Sequence, residues 1–158
     1  MCRKIRNALF WVFFCLVVVF VLFFGRVVVD GNSMKPTYES GNSFIISKVL
    51  TPKRGDIVVF RRKTDSGKSD VLVKRVIALP GDTIMIYDGV VYVNNEPIDE
   101  PYIKTKEFVG GAIENTEITL NSKEYFVMGD NRNNSVDSRY FGCIKDSDII
   151  GVEVLNLW

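Results

Sequence analysis

Ser33 lies in Gly31-Asn32-Ser33-Met34-Lys35-Pro36-Thr37, and the 158-residue chain contains no histidine. A serine hydroxyl is a weak nucleophile until a base takes its proton, and histidine is the usual base. If Ser33 attacks anything, another group must accept that proton. The candidate is Lys74, inside the apolar run Val71-Leu72-Val73-Lys74-Arg75-Val76-Ile77-Ala78-Leu79. Lysine can serve only when neutral, and at its ordinary pKa about 0.1% is neutral near pH 7.4. Apolar surroundings disfavour the ammonium and lower that pKa. A fall of about two units corresponds to ~3 kcal/mol. On a strand Lys74 shares its face with Leu72, Val76 and Ala78, while Arg75 points to the opposite face. Arginine cannot be deprotonated, so of these two only Lys74 is usable as a base.

Each residue also has a plainer reading. A serine beside Gly and Asn in a loop is commonly turn chemistry. A lysine on an edge strand keeps its ammonium in water. The strand alone leaves both readings of Lys74 open. The segment Gly129-Asp130-Asn131-Arg132-Asn133-Asn134-Ser135-Val136-Asp137-Ser138-Arg139-Tyr140-Phe141-Gly142 is dense in hydrogen-bonding groups. It reads either as a solvated connector or as a rigid, internally bonded loop that positions a site.

Several elements must hold these groups. Residues 7–25 carry no formal charge. As a helix rising ~1.5 Å per residue they span roughly 28 Å, matching a hydrocarbon core of ~30 Å. A cleaved secretory signal is the alternative, but the exit Phe24-Gly25-Arg26-Val27-Val28-Val29-Asp30 has no Ala-x-Ala-like site. The expectation is an uncleaved transmembrane anchor over 7–25, a cytoplasmic tail over 1–6 and an extracytoplasmic domain over 26–158. Arg3, Lys4 and Arg6 precede the span and place the N-terminus in the cytoplasm by the positive-inside rule.

The remainder reads as mainly β. Strands are expected at 44–46, 57–60, 71–79, 83–87, 90–93, 117–120, 124–128 and 149–157. Asp88-Gly89 marks a hairpin because both residues tolerate positive φ. Residues 61–70, including Ser66-Gly67, read as a polar loop, and 100–115 as an ambiguous stretch, more loop than strand. No helical periodicity appears outside the anchor.

Composition excludes other classes. The net charge is +1 with dispersed basic residues, so no face is suited to tracking nucleic acid. Cys2, Cys15 and Cys143 form no CxxC pair, and without histidine a metal site has too few soft ligands. No cofactor is expected.

Four segments together resemble the bacterial type I signal peptidases. Ser33-Met34-Lys35-Pro36-Thr37 resembles their nucleophile box, and Gly55-Asp56-Ile57-Val58-Val59-Phe60 their second segment. Lys74 to Asp82 resembles their lysine box, and Gly129 to Gly142 their final box. The resemblance implies a β fold of coiled antiparallel sheets shared with LexA-like self-cleaving repressors. It also implies a Ser/Lys endopeptidase that removes signal peptides from secretory preproteins, with small residues at −1 and −3. In that family Ser33 attacks, Lys74 is the base and Ser135 orients the lysine. Asp137 and Arg139 form an ion pair, and Asp130 and Arg132 support the loop. The Ser33 backbone N–H serves the oxyanion. Gly31 stands where Gram-negative members carry a serine whose hydroxyl completes the oxyanion hole; with Ser33 it is expected at the oxyanion site through its backbone only, so the second donor is open. Met34, Val73 and Tyr38 resemble substrate-pocket positions. The anchor argues against a soluble self-cleaving repressor, and the intact Ser33, Lys74 and Ser135 argue against a non-catalytic β domain descended from a peptidase.

Overall fold

The computed structural model describes residues 2–64, 67–105 and 111–157; for residues 2–5 and 112 only the backbone is described. Ser66 of the expected loop, residues 106–110 of the ambiguous stretch and Trp158 therefore lie outside the described residues. The chain opens with α1, Cys2–Phe23. Among the described residues it is the one helix long and apolar enough to cross a membrane. It ends two residues before the expected limit, because Phe24 and Gly25 already pair in β1, Phe24–Val28. There they stand opposite Ser47 and Ile46 of β2, Ser43–Ser47. A Cβ at position 25 would come within 3.3 Å of Ile46 Cγ1, so glycine suits this entry into the sheet.

Nine further strands follow among the described residues: β3 Ile57–Lys63, β4 Ser69–Ala78, β5 Thr83–Tyr87, β6 Val90–Val93, β7 Glu96–Pro97, β8 Ile118–Thr119, β9 Glu124–Met128, β10 Ile144–Lys145 and β11 Ile149–Asn156. One sheet runs β1-β2-β11-β3-β4-β9-β10 and the other β7-β6-β5-β8. All strand pairs are antiparallel. The Asp88-Gly89 hairpin has φ +48° and +70°, as its turn type requires.

The loop expected over 61–70 is shorter than its polarity implied. The β3–β4 ladder continues to Lys63 opposite Ser69, because backbone pairing does not need apolar side chains. A second difference is α2, Ser138–Phe141, a single turn whose N-cap is Asp137. Four residues are too few to leave a helical period in the sequence.

Three apolar clusters form the interior. One lies between the sheets around Ile77, Ile84, Ile86, Phe126 and Met128. Another, around Val58, Phe60, Val76 and Val127, backs the other face of β3, β4 and β9. The third gathers Val29, Met34, Tyr38, Phe44, Ile46, Ile57 and Val59 beneath the turn that carries Ser33. Each fully buried Phe, Ile or Met contributes about 1.5–3 kcal/mol, so the support under Ser33 is firm.

Candidate active site

β4 is an interior strand of its sheet. β3 flanks it along its length, with Val58 opposite Lys74 and Lys63 opposite Ser69. β9 covers its other side only from Arg75 onward. Lys74 is thus packed in, 3% exposed, and the edge-lysine reading falls. Residues 69–74 keep one backbone edge with no strand partner among the described residues.

The amine of Lys74 meets the serine. Nζ lies 2.7 Å from Ser33 Oγ and donates to the Val73 carbonyl at 2.9 Å. Burial lowers the Lys74 pKa to about 8, with Asp137 and Asp130 pulling weakly the other way. The turn reading of Ser33 is correct for its backbone and incomplete for its hydroxyl. In the neutral amine the 2.7 Å contact runs from Oγ–H to the Nζ lone pair, the geometry a general base needs.

The 129–142 segment clasps the serine turn. The Ser33 carbonyl accepts from the Asn131 N–H at 3.0 Å, and Asn131 Nδ2 donates to the Asn32 carbonyl at 3.0 Å. Thr37 Oγ1 donates to Asp130 Oδ2. Asp130 is also gripped by Arg75, whose Nε and Nη2 donate at 2.8 and 2.6 Å. Arg75 Nη1 reaches the Gly55 carbonyl at 2.7 Å, and its guanidinium sits 4.1 Å above the Tyr102 ring. Behind this layer lie two buried ion pairs. Arg139 Nε and Nη2 donate to the two oxygens of Asp137 at 2.8 and 2.9 Å. Arg132 pairs with Glu100 through both terminal nitrogens. Asp137 also accepts from the Gly129 N–H at 2.9 Å.

A cleft of about 200 Å³ opens beside Ser33 and Lys74. Its walls are residues 27–30 on one side, residues 71–73 on the other, and Met34. β1 and β4 are separated by three strands in the sheet, so their meeting here requires the sheet to coil on itself.

Comparison with known proteins agrees with this geometry. The family model for signal peptidases, peptidase S26, matches residues 2–158. A signal peptidase I from Bacillus caldolyticus is 38% identical, covering 91% of this chain and 85% of the relative. Signal peptidase I V of Bacillus subtilis is 40% identical over 78% of this chain and 80% of its own.

The chain belongs to the signal peptidase family.

A crystal structure of a signal peptidase I from Enterococcus faecalis is 30% identical, with a TM-score of 0.53 over 66% of this chain and 97% of that one. Within this family member, not every expected contact is made. Ser135 Oγ is buried and makes no hydrogen bond here, to the lysine or to any other described group. Tyr38 does not line the cleft. It is 2% exposed, stacks near Phe44 and donates its hydroxyl to Glu153 Oε1, one layer below Met34. Burial, with that acceptor beside it, pushes the phenol pKa well up. Met34 and Val73 line the cleft. Gly31 has φ +93° and its N–H reaches Ser40 Oγ at 3.4 Å. The Ser33 N–H makes no hydrogen bond among the described residues.

Arg75, Glu100 and Asn131 escaped the sequence reading. Arg75 was set aside because it cannot be a base. An arginine inside an apolar strand does signal a buried carboxylate partner, though not which one. Glu100 fell in the ambiguous stretch, where no periodicity points to burial.

Gly129 provides a local test. A Cβ there would stand 2.5 Å from the Ser33 carbonyl oxygen and 2.6 Å from Ser135 Cβ. Gly129→Ala therefore has to displace the nucleophile turn. A 1 Å misplacement costs about 10²-fold. Peptide cleavage by this variant is expected to fall by at least about that factor while its circular dichroism stays native.

Proposed function

We propose that this signal peptidase is a membrane-anchored serine endopeptidase that removes N-terminal signal peptides from secretory preproteins, with Ser33 as nucleophile and Lys74 as general base. The observation that carries this reading is the 2.7 Å contact between Ser33 Oγ and a buried amine whose pKa is lowered to about 8.

The chemistry follows from that contact. Neutral Lys74 takes the Oγ proton as Oγ bonds to the scissile carbonyl carbon. The carbonyl oxygen becomes an oxyanion, and the Ser33 N–H, which makes no hydrogen bond among the described residues, is a donor free to serve it. Collapse of that intermediate breaks the C–N bond, and the Lys74 ammonium gives its proton to the leaving amine. The acyl group stays on Oγ as an ester. Lys74, neutral again, takes a proton from water as its oxygen bonds to the ester carbon; collapse of that intermediate breaks the C–Oγ bond, the Lys74 ammonium returns its proton to Oγ, and the signal peptide leaves as a carboxylate.

The unpaired edge of residues 69–74 supports an extended substrate added as a strand. Alternate side chains then enter the cleft, which at about 200 Å³ accepts small residues at −1 and −3. α1 would hold the enzyme in the bilayer with its substrates. Arg3, Lys4 and Arg6 would keep its N-terminus cytoplasmic and the catalytic domain on the other side.

The test is kinetic. With Lys74 as base, kcat/KM rises about tenfold per pH unit on the acid side and levels above about 8, as the amine loses its proton. A profile flat from about pH 6 to 9 contradicts the assignment. Cleavage of a purified preprotein, with sequencing of the new N-terminus, checks the bond that is cut.

A further inference from the structure

α1 delivers the chain to the sheet at Phe24, and a row of strand partners crosses from there: Phe24 to Ser47, Ser47 to Val152, Val152 to Val58, Val58 to Lys74. β1 leads away from the helix, β2 returns, β11 leads away and β3 returns. The stretch from Val58 to Lys63 therefore runs back toward the side from which the helix arrives. The same side carries exposed Val49 and Leu50, just past Ser47, and Lys48 Nζ lies 3.5 Å from the Val21 carbonyl at the end of α1.

At this end of β3 an open cavity of about 760 Å³ is walled by Arg61, Arg62, Lys63, Tyr140 and Lys145, with Asp148 the one carboxylate on the wall among the described residues. The Arg62 guanidinium is fixed 4.8 Å from the centre of the Phe141 ring and 3.6 Å from Asp70, and its Nε is buried with no hydrogen-bond partner. Arg61, Lys63 and Lys145 make no ion pair among the described residues. The concentration of unneutralised cations is local, since the whole chain carries only +1.

We propose that this cavity binds the phosphate of an anionic membrane lipid. The proposal rests on α1 as a membrane anchor. Guanidinium and ammonium groups around an aromatic wall suit a phosphate headgroup, and their aliphatic stems suit the chain below it. Basic groups near an anionic surface attract it. Binding here seats the β3–β4 hairpin on the headgroups. The free edge of β4 then stands next to the surface from which a membrane-held peptide emerges.

The test uses the full chain in detergent. Native mass spectrometry with phosphatidylglycerol or phosphatidylcholine reads which lipid is retained. The expected result is a preference for phosphatidylglycerol of about tenfold. Arg61→Gln/Lys63→Gln/Lys145→Gln, all at exposed positions, abolishes that preference while cleavage of a soluble peptide in lipid-free detergent is unchanged. Equal retention of the two lipids, or a preference that survives the triple substitution, overturns the proposal. So does displacement of the lipid by millimolar inorganic phosphate, which would make this a free-phosphate site. Carbonate extraction of membranes separates the two readings. Loss of the chain from the pellet defeats the anchor itself, whereas retention without lipid preference defeats only the cavity.

Discussion

Lys74→Ala cleaves a preprotein about 10²–10⁴-fold more slowly than the wild type, the range that a positioned general base contributes. Ser33→Ala falls at least as far, and the double variant is no slower than the worse single one, because the two groups act as a unit. Lys74→Arg fails as well: it keeps the positive charge but cannot give up a proton. The same account predicts an opposite effect on stability. Lys74 is 3% exposed and its pKa falls from 10.5 to about 8 on folding. The unfolded chain binds more protons between those values, so folding at neutral pH carries a penalty of about 3 kcal/mol at this residue. That penalty is present in full below about pH 8 and disappears as pH rises through 10.5. Lys74→Met, which fills the space without the charge, therefore melts higher than the wild type at pH 7, and the gap closes toward pH 10.5. An inactive variant that is also more stable marks a residue kept for chemistry rather than for the fold. Cleavage by Lys74→Met at the wild-type rate would contradict the assignment.

Arg139→Leu has the largest expected effect on folding. Asp137 and Arg139 are 0% and 1% exposed, and their side chains are joined by two hydrogen bonds. Removing one partner leaves a charge buried without compensation, which costs about 3–5 kcal/mol. For a domain of this size the melting temperature drops by roughly 10–20 °C. Arg139 Nη2 also donates to the Arg132 carbonyl at 2.8 Å, and Asp137 holds the Gly129 N–H, so the loss spreads to the loop that clasps Ser33. An unneutralised Asp137 raises the Lys74 pKa further, since its field already acts in that direction. The acid limb of the surviving activity then moves to higher pH. Replacing both residues by apolar ones costs less than the sum of the two single changes. A melting temperature within a few degrees of wild type for Arg139→Leu would show that the pair carries no such weight.

Much of the fold could be read from local signals. Residues 57–60, 83–87, 90–93 and 124–128 announced strands through β-branched and aromatic runs bounded by turn residues, and they form β3, β5, β6 and β9. β1 was hidden because Phe24 to Val28 continues the apolar composition of the anchor, and only pairing with β2 ends the helix at Phe23. The 61–70 segment looked like a loop because its side chains are polar, whereas its backbone was free to pair. The site divides in the same way. Alternation separated Lys74 from Arg75 onto opposite faces, and each finds its own partner, Ser33 for one and Asp130 for the other. The burial of Lys74 was not legible, because it depends on β3 and on the segment after β9. The resemblance implies roles for Ser135 and Tyr38, but whether either hydroxyl finds a partner depends on what lies nearest in space: Glu153 for Tyr38, and none among the described residues for Ser135.

The central claim is that Lys74 is a base because it is buried. It is tested most directly by labelling the lysine side chains of the full chain in detergent and following the Lys74 Cε and Nζ resonances by NMR against pH, with Lys74→Met for assignment. The expected midpoint is about 8. A midpoint at the ordinary lysine value, near 10.4, would contradict it.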